Sequence, residues 1–517
     1  VEIEMRENTN AGAANIAAFE KFDAQMLNAY DPDFGGFGQS PKFPQPAILM
    51  QGLRRAFGKP VDDDLYRAID FSLQKIALGG IRDHLAGGFF RYSVDDKWMI
   101  PHFEKMLYDN AQLLLVYAQA FRLNGRPLYR EAFDGIVDWL RDEMSSPSGA
   151  FYAALDADSE GVEGKFYLWT PAQVAALIDA DFYPLFAFKY GLDQAPNFEG
   201  EWHLHAYFSD AEVIEKFSIE ADAYARQLSQ AQTVLRNHRD QRIAPGLDDK
   251  LLTSWNAMAI RGLACGAGLF GRTDYYQLAR HCLEAIRNHC WHDGRLTALS
   301  QTSGKVLPAY LDDYAHLLQA CLDCLQFEWQ PADLELAQNL AEQLLEYFAD
   351  ADHGGFFFTA SDHEKLIQRP KSWQDEAMPS GNAVAALAIY RLGLLLGEQR
   401  YTRAAEKALQ SVADNVNENA FYAAGFLALL EEIQHPPLLL IVRAAEAQLP
   451  RWREQILPRL IPGQMAFFIA TDTAQLPASI AEKIDDKPVS AWICEGFSCR
   501  APLADLGAVI AVLEEQQ

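Results

Sequence analysis

The chain has 517 residues, of which 50% are hydrophobic and 22% are charged, a balance that excludes wholesale disorder. Its 44 basic and 71 acidic residues give a formal net charge of −27, which repels nucleic acid and anionic membrane surfaces, so we expect neither as a partner. No apolar run has the length of a membrane span, no signal peptide opens the chain, and the seven scattered cysteines do not form a secreted disulfide framework. These features predict a cytoplasmic location.

Apolar residues at helical spacing predict a series of long helices separated by polar connections. In chain order the predicted helices cover residues 10–30, 45–57, 62–77, 102–123, 127–144, 219–239, 251–270, 274–290, 311–327, 332–348, 381–396, 400–414 and 418–433. Several connections carry a glycine with an aromatic residue or a turn, beginning at Gly35, Gly87, Gly149, Gly294 and Gly354. The intervals 35→87, 87→149 and 294→354 span 52, 62 and 60 residues, enough for two helices each, and indicate a repeat of helical hairpins.

The alternation of amphipathic and nearly apolar helices predicts an outer and an inner ring. We predict that each outer helix pairs with the inner helix that follows it: 11–29 with 44–58, 62–78 with 102–123, 219–239 with 250–270, 274–290 with 311–327, 332–348 with 381–396, and 400–414 with 418–433. Six such hairpins form a mainly α (α/α)6 barrel over residues 1–435. Beyond Pro437, buried strands at 438–442 and 466–470, a third strand at 491–494, and helices at 450–460 and 503–515 predict a small α/β domain over residues 436–517.

Residues 79–112 combine histidine, arginine, carboxylate and aromatic side chains with two Gly-Gly pairs. Pro101 predicts a helix start, which would place His102 and Glu104 in a first helical turn. The helix dipole there would favour a neutral imidazole, so we interpret His102 as a base. The alternative is that His102 only caps or packs against the helix.

Polar residues precede five of the six inner helices, and parallel inner helices would bring them to one mouth of the barrel. The candidate catalytic residues are His84, His102, Glu104, Asp248, Asp249, Asp312 and Asp313; the candidate substrate-binding residues are Arg91, Tyr92, Trp98, Asp156, Asp158, Lys250, Trp255, Asn256, Tyr310, Arg369, Ser380 and Asn382. Simpler interpretations stay open, because Asp312 and Asp313 also suit a helix N-terminus, Ser380 suits an N-cap, and Asp248, Asp249 and Lys250 could form a local ion cluster.

No metal or other cofactor is predicted. The loop from Asp156 to Gly161 begins like a calcium loop, but Tyr167 stands at the twelfth position, where that motif requires Glu. Cys321 and Cys324 lie inside a predicted helix and are typical of core packing. Cys494 and Cys499 lack the second ligand pair of a zinc site.

Several motifs together resemble the thioredoxin-domain-containing, spermatogenesis-associated protein 20-like family, also called the YyaL-like family. The matching stretches are DFGGFGQSPKFPQP, GGIRDHLAGGFFRYSVDDKWMIPHFEKMLYDNAQL, DADSEGVEGKFYLWT, NFEG, DDKLLTSWNAMAI, YLDDYAHLLQ, HGGFFFT, PSGNAVAAL and CEGFSC-x-x-P, within residues 33–502. The resemblance implies a six-hairpin barrel similar to those of N-acylglucosamine 2-epimerases and six-hairpin glycosidases. It also implies a thioredoxin-like domain N-terminal to the barrel, which we expect to be missing from this chain.

Acids, bases and aromatic faces around one pocket suit a sugar ring, so a small-molecule sugar is the expected substrate. The leading interpretation is a sugar epimerase or isomerase in which His84 and His102 exchange a proton and Arg91 or Lys250 stabilises the enolate, without a cofactor. A glycoside hydrolase is the first alternative, with a carboxylate pair drawn from Glu104, Asp158, Asp248, Asp249, Asp312 and Asp313. A non-catalytic barrel that binds a sugar or a protein is the second.

Overall fold

The computed structural model describes residues 13–300, 307–364 and 367–515, so the predicted helical residues 10–12 lie outside the described part. The helices are α1 (Ala17–Ala29), α2 (Pro46–Ala56), α3 (Asp64–Leu78), α4 (Leu107–Asn124), α5 (Pro127–Asp142), α6 (Pro171–Leu177), α7 (Tyr183–Tyr190), α8 (Asp210–Phe217), α9 (Ala221–Arg239), α10 (Thr253–Phe270), α11 (Thr273–Cys290), α12 (Leu311–Phe327), α13 (Pro331–Gln343), α14 (Gly381–Leu396), α15 (Gln399–Ser411), α16 (Ala413–Glu418), α17 (Ala424–Gln434), α18 (Leu449–Ile456), α19 (Ala478–Ala481) and α20 (Leu506–Glu514). The strands are β1 (Tyr92–Ser93), β2 (Pro101–His102), β3 (Lys105–Met106), β4 (Ala154–Leu155), β5 (Asp158–Ser159), β6 (Val162–Glu163), β7 (Leu247–Asp248), β8 (Trp291–His292), β9 (Arg295–Leu296), β10 (Leu438–Ala444), β11 (Met465–Ala470), β12 (Val489–Glu495) and β13 (Ser498–Cys499).

Six inner helices form a closed ring. In the order α2, α4, α10, α12, α14 and α17, each packs against the next, and α17 packs against α2. Small residues permit this close approach: a Cβ on Gly262 of α10 would lie 2.5 Å from Cβ of Leu114 on α4. The predicted (α/α)6 barrel is therefore confirmed.

The pairing of outer with inner helices differs from the prediction. Outer helices α3, α5, α11, α13 and α15 pack mainly against the inner helix that precedes them, and not against the one that follows. The reason is loop length, because short turns such as Gly125–Arg126 and Gly271–Arg272 join each inner helix to its outer partner. The long connections run from each outer helix to the next inner helix, so they gather at the end of the barrel where the inner helices begin, which we call the mouth.

Residues 143–252 form a long insertion between α5 and α10, with α6 to α9 in a lobe of their own. Trp169, Tyr190, Tyr224 and Leu235 lie in a separate apolar core of this lobe. The prediction that residues 219–239 form an outer barrel helix is therefore wrong, since α9 belongs to the lobe. Its amphipathic pattern is the same in either setting, which is why the sequence did not distinguish them.

The C-terminal residues form a four-stranded sheet of order β11-β10-β12-β13, in which β10 pairs parallel with β11 and antiparallel with β12. This unit packs against the C-terminal ends of the inner helices. Arg122 donates to the carbonyl of Leu457 at 3.1 Å, and Arg453 donates to the carbonyl of Phe327 at 2.8 Å. It therefore closes the end of the barrel opposite the mouth. Among the described residues, no helix is long and apolar enough to cross a membrane.

Three of the mouth loops share one sequence, Asp-x-x-x-Gly-Gly-Phe, and one construction. In each loop the Asp accepts backbone N–H bonds from the residues two and three positions later, and a lysine binds both the Asp and the first Gly carbonyl. The Asp–Lys pairs are Asp31 with Lys42, Asp83 with Lys105, and Asp350 with Lys371. Buried ion pairs of this kind hold the loops in fixed positions over the mouth.

Candidate functional site

His102 lies at the rim of the mouth and not in a helix. Residues Pro101 and His102 form β2, in which His102 pairs with Tyr92, and α4 begins only at Leu107. The prediction of a first helical turn at His102 and Glu104 is therefore wrong, and with it the argument from the helix dipole. The intervening residues are extended because Lys105 must reach Asp83 in the loop clamp, 2.8 Å away.

His102 belongs to a rim cluster of paired rings and charges. Its Nδ1 lies 2.7 Å from a carboxylate oxygen of Glu163, and its ring stacks on Tyr92 at 5.1 Å between centroids. Tyr92 in turn stacks on Phe43 at 4.8 Å. The carboxylate of Glu104 accepts a hydrogen bond from Arg91 at 3.1 Å. The structure thus brings four predicted site residues together: Arg91, Tyr92, His102 and Glu104.

The wall between this rim and the barrel axis is aromatic. Arg91 donates from Nε to the hydroxyl of Tyr108 at 3.1 Å, and the Tyr108 ring meets Trp255 edge-on at 4.9 Å. Burial raises the pKa of Tyr108 to about 12, so its phenol stays protonated at neutral pH. Trp255 and Tyr108 therefore lie together beside the mouth, and Tyr108 was not among the candidates.

His84 does not accompany His102. Its Nε2 lies 2.9 Å from the carbonyl oxygen of Gly79, and its ring packs against Tyr190 in the inserted lobe, 5.5 Å between centroids. Burial holds its pKa well below the usual value, so it stays neutral. The structure therefore does not bring the two predicted proton-exchanging histidines together.

Six of the other candidates hold backbone or loops in place. Asn256 accepts the N–H of Phe151 at 2.7 Å and donates to its carbonyl at 3.0 Å, and Asn382 accepts the N–H of Phe356 at 3.1 Å. Asp313 accepts N–H bonds from Ser254 and Tyr310. The remaining three are Ser380, the N-cap of α14; Arg369, bonded to the carbonyls of Thr359 and Tyr347; and Trp98, whose fully buried indole bonds to the Gly35 carbonyl.

Asn256→Ala should lower stability by about 1–3 kcal/mol, because the N–H and carbonyl of Phe151 would lose a buried partner. We expect the affinity for a ligand in the barrel to change little. Denaturant melts and ligand titrations on the same variant distinguish this role from substrate binding. A large loss of affinity with unchanged stability would show that the amide contacts the ligand.

The last group of candidates lies in exposed mouth loops. The side chains of Lys250 and Asp248 form an ion pair at 2.5 Å. Asp249 is exposed, and so are Asp156, just before the β5–β6 hairpin, and Asp158, its first residue. Tyr310 stacks on Phe358 at 4.9 Å. The described residues contain no group of three or more His, Cys, Asp or Glu side chains that could hold a metal ion.

A cavity of about 150 Å³ lies on the barrel axis below the mouth, and all six inner helices contribute to it. Its lining includes seven polar side chains that were not among the predicted site residues: Gln51, Arg54, Gln112, Arg261, His316, Gln319 and Arg391. The rest of the lining is apolar or small, including Met50, Leu115, Met258 and Leu387. This combination of an apolar wall with a few directed polar groups is typical of a small-molecule site.

Three of these side chains are almost fully buried and have free hydrogen-bonding atoms. Gln51, His316 and Gln319 are 2%, 1% and 3% exposed. Five of their polar atoms have no hydrogen-bond partner among the described residues: both ring nitrogens of His316, both amide atoms of Gln51, and Oε1 of Gln319. Buried polar atoms are nearly always paired in folded proteins, so three such groups around one cavity indicate a ligand or ordered water as their partner.

His316 belongs to a polar stripe along α12. Asp312, His316, Gln319 and Asp323 follow at spacings of four, three and four residues, which places them on one face of the helix. Burial, together with the negative charge of the neighbouring Asp313, raises the pKa of Asp312 to about 7. Burial and the nearby Arg261 lower the pKa of His316 to about 3. At neutral pH the stripe therefore presents a neutral imidazole one turn below a carboxyl group that readily carries a proton.

The floor of the cavity is charged but balanced. Arg54 binds the carboxylates of Glu431 and Glu432 at 2.7 and 3.2 Å, and Arg391 binds that of Glu432 at 2.6 Å. Arg261 binds Asp323 at 2.9 Å. Among the described lining residues there is no Asp or Glu. The cavity therefore offers cationic and neutral donors to a ligand, and no carboxylate pair.

One connection covers the cavity from the mouth. Gln112 of α4 donates to the carbonyl of Ala377 at 2.9 Å, although Ala377 precedes α14 on the opposite side of the ring. Pro379 in the same connection lines the cavity. This contact therefore spans the barrel beside the cavity.

The sequence held a signal for this site that the prediction did not use. Gln51, Gln112, His316 and Gln319 are buried polar residues in inner helices whose other buried residues are mostly apolar. A buried helix with an isolated polar residue requires a partner for that residue. Most of the predicted site residues lie instead in the loops before the inner helices, and therefore at the mouth.

Fold and site together define the class: a six-hairpin α-barrel protein with a polar-lined cavity on the barrel axis. No family model matches the chain. Spermatogenesis-associated protein 20 of Homo sapiens is 28% identical over 544 aligned positions, which cover 96% of this chain and 68% of the human protein. The Rattus norvegicus protein of the same name is 32% identical over 429 positions, 75% of this chain and 54% of the rat protein. The chain is thus a relative of spermatogenesis-associated protein 20, as the motifs predicted, and it spans about half to two thirds of these relatives.

Solved structures with partial similarity include two sugar-acting proteins. An unsaturated glucuronyl hydrolase specific for heparin has a TM-score of 0.47 at 12% identity, covering 81% of this chain and 97% of that chain. Cellobiose 2-epimerase from Spirochaeta thermophila has a TM-score of 0.32 at 16% identity, covering 78% of this chain and 98% of that chain.

Proposed function

We propose that the axial cavity binds a small neutral sugar and that the chain is a cofactor-independent sugar isomerase or epimerase. The observation that carries the proposal is His316, a buried neutral imidazole whose two nitrogens have no partner among the described residues, in a cavity ringed by hydrogen-bonding side chains. A polyhydroxylated ligand would supply the partners that Gln51, His316 and Gln319 lack. The balanced charge of the cavity floor favours a neutral ligand over an ion.

The proposed reaction begins on the open-chain form of the sugar. The imidazole of His316 removes the proton from the carbon next to the carbonyl, and the electron pair moves to the carbonyl oxygen to give an enediolate. Arg261, which lines the cavity near His316, is the group that stabilises this oxygen. Return of the proton to the former carbonyl carbon, with transfer of the hydroxyl proton between the two oxygens, gives isomerisation. Return of the proton to the opposite face of the same carbon, after the enediolate turns in the cavity, gives epimerisation.

The negative charge of the enediolate supports His316 in this role despite its low pKa. An anion that forms beside an imidazole favours the protonated ring and therefore raises its pKa during the reaction. Before substrate binds, the same low pKa keeps the base unprotonated at neutral pH. Hydrolysis is less well supported, because a glycosidase requires two carboxyl groups around the bond that breaks, and the described lining of the cavity offers none.

A panel of sugars incubated with the chain in deuterated water tests the proposal. Proton NMR should show loss of the signal at the carbon next to the carbonyl for at least one sugar, since the base exchanges its proton with solvent. No exchange for any sugar, together with release of a reducing sugar from a glycoside panel, would favour the hydrolase. Saturable binding without either reaction would favour a binding protein.

Asp312→Asn should raise stability above neutral pH. The carboxyl has a folded-state pKa of about 7 against about 3.8 unfolded, so its ionisation costs the folded state stability as pH rises from about 4 to 7. The free energy of unfolding of the Asn variant, relative to that of wild type, should rise by up to about 4 kcal/mol from pH 4 to pH 8. Melts across that range measure the gain. A variant that is equally stable at both pH values would show that Asp312 is not held protonated.

A further inference from the structure

The hairpin at the end of β12 carries the only disulfide among the described residues, and all seven cysteines are described. Cys494 on β12 and Cys499 on β13 are directly paired across the hairpin and bonded to each other, five positions apart in sequence. Gly496 and Phe497 form the turn between them, and Phe497 is 52% exposed. Because β13 is an edge strand, the bond lies at an edge of the sheet.

The two sulfur atoms differ in access. Cys499 is exposed, while Cys494 is 2% exposed and packs in the core of the C-terminal unit. Thiol–disulfide exchange requires a thiolate to approach one sulfur along the bond, so access decides which sulfur is attacked. An external thiolate would reach the sulfur of Cys499 and leave that of Cys494 as the departing group.

The hairpin does not depend on the bond for its shape. The N–H of Arg500 donates to the carbonyl of Ile493 at 2.9 Å, Arg500 pairs with Glu495 at 2.6 Å, and Leu503 bridges to Ala491. A disulfide stabilises chiefly in proportion to the loop that it closes, and this loop is among the shortest a chain can form. Opening the bond should therefore leave the fold intact.

The other five cysteines do not compete for thiol reagents. Cys265, Cys282, Cys290, Cys321 and Cys324 are free, and burial raises the pKa of each of these thiols. The thiolate is the reactive form, so these residues are unreactive in the folded chain. Thiol chemistry is confined to the hairpin.

We propose that Cys494 and Cys499 form a reversible two-electron site that exchanges with a dithiol oxidoreductase of the Cys-x-x-Cys class. The reductant's first thiolate attacks the sulfur of Cys499, and Cys494 leaves as a thiolate and takes up a proton. The reductant's second thiolate then displaces Cys499 from the mixed disulfide. The reductant ends as a disulfide, and the hairpin gains two electrons and two protons. Phe497, exposed in the turn of the same hairpin, provides an apolar contact for the partner.

The test uses the full chain in buffers of graded reduced and oxidised dithiothreitol, followed by maleimide quenching and intact mass measurement. The fraction of chain that takes up two maleimides should rise in reducing buffer and fall again after return to oxidising buffer, while circular dichroism and melting temperature change little. A Cys-x-x-Cys dithiol protein should reduce the bond at least about tenfold faster than glutathione at equal thiol concentration. The double variant Cys494→Ser with Cys499→Ser should add none, and the matched variant Cys321→Ser with Cys324→Ser should behave as wild type.

Three results would overturn the proposal. The first is a bond that opens only in denaturant, and the second is a pair of thiols that stays reduced under oxidising conditions. The third is reduction by glutathione at the same rate as by the dithiol protein, which would show that the site has no preference for a dithiol partner.

Discussion

His316→Gln is expected to reduce proton exchange on the sugar by at least about 100-fold while leaving the melting temperature almost unchanged. General base catalysis contributes about 10²–10⁴ in rate, and glutamine cannot accept a proton from carbon. Neither ring nitrogen of His316 bonds to the described protein, so the substitution breaks no protein hydrogen bond. Glutamine has a similar length and can still bind a ligand hydroxyl, so KM should change less than kcat.

His102→Gln is the matched control for this prediction. It removes the ring that stacks on Tyr92 and pairs with Glu163 at the rim, but it leaves the axial cavity untouched. We expect less than about a tenfold loss of turnover from it. The reverse pattern, with turnover lost in His102→Gln and retained in His316→Gln, would move the reaction from the axial cavity to the rim cluster.

Asp83→Asn should produce the largest loss of stability, about 3–5 kcal/mol. The carboxylate of Asp83 lies between two fully buried cations, 2.8 Å from Nζ of Lys105 and 2.9 Å from the guanidinium of Arg239. An amide cannot neutralise either, and an unpaired charge in a protein interior is costly. Since Arg239 belongs to α9, the substitution also weakens the contact between the inserted lobe and the barrel. Urea unfolding measures the effect.

Asp350→Asn provides the comparison, because Asp350 occupies the same place in another loop of the same construction but pairs with Lys371 alone. Its loss should be clearly smaller. The dependence of stability on pH at acid pH gives a second check. The two cations hold the pKa of Asp83 well below its usual range, so its contribution to the free energy of unfolding is complete above about pH 4 and declines as pH falls further. Equal losses from the two variants would show that the second cation adds nothing.

The barrel was predictable because helical hairpins repeat in the sequence and the inner helices are apolar on every side. The glycine-aromatic loops were recognised as a repeat, although their role emerged only from the contacts: Asn110, Asn256 and Asn382 each bind the backbone of the aromatic residue in a mouth loop. Such a bond joins residues about 20–105 positions apart, and no local pattern shows it. Asn256 and Asn382 were therefore interpreted as ligands for a substrate.

The candidate site was harder to predict than the fold. Pro101 resembles a helix start, but the buried pairing of Lys105 with Asp83 keeps the following residues extended, which is a tertiary effect that overrides local preference. The axial site depends on which side of each inner helix faces the centre of the ring. That orientation follows from the packing of all six helices together, so His316 and Gln51 could not be placed opposite each other from the sequence.

Histidine-selective ¹⁵N NMR of the folded chain, with and without the sugar that exchanges fastest, tests the central claim most directly. The ring-nitrogen signals that are missing from His316→Gln should shift or broaden on addition of the sugar, since His316 lines the cavity and neither of its nitrogens has a partner among the described residues. The signals assigned through His102→Gln should stay in place. Shifts confined to His102, with His316 unaffected by saturating sugar, would contradict the assignment of the axial cavity as the binding site.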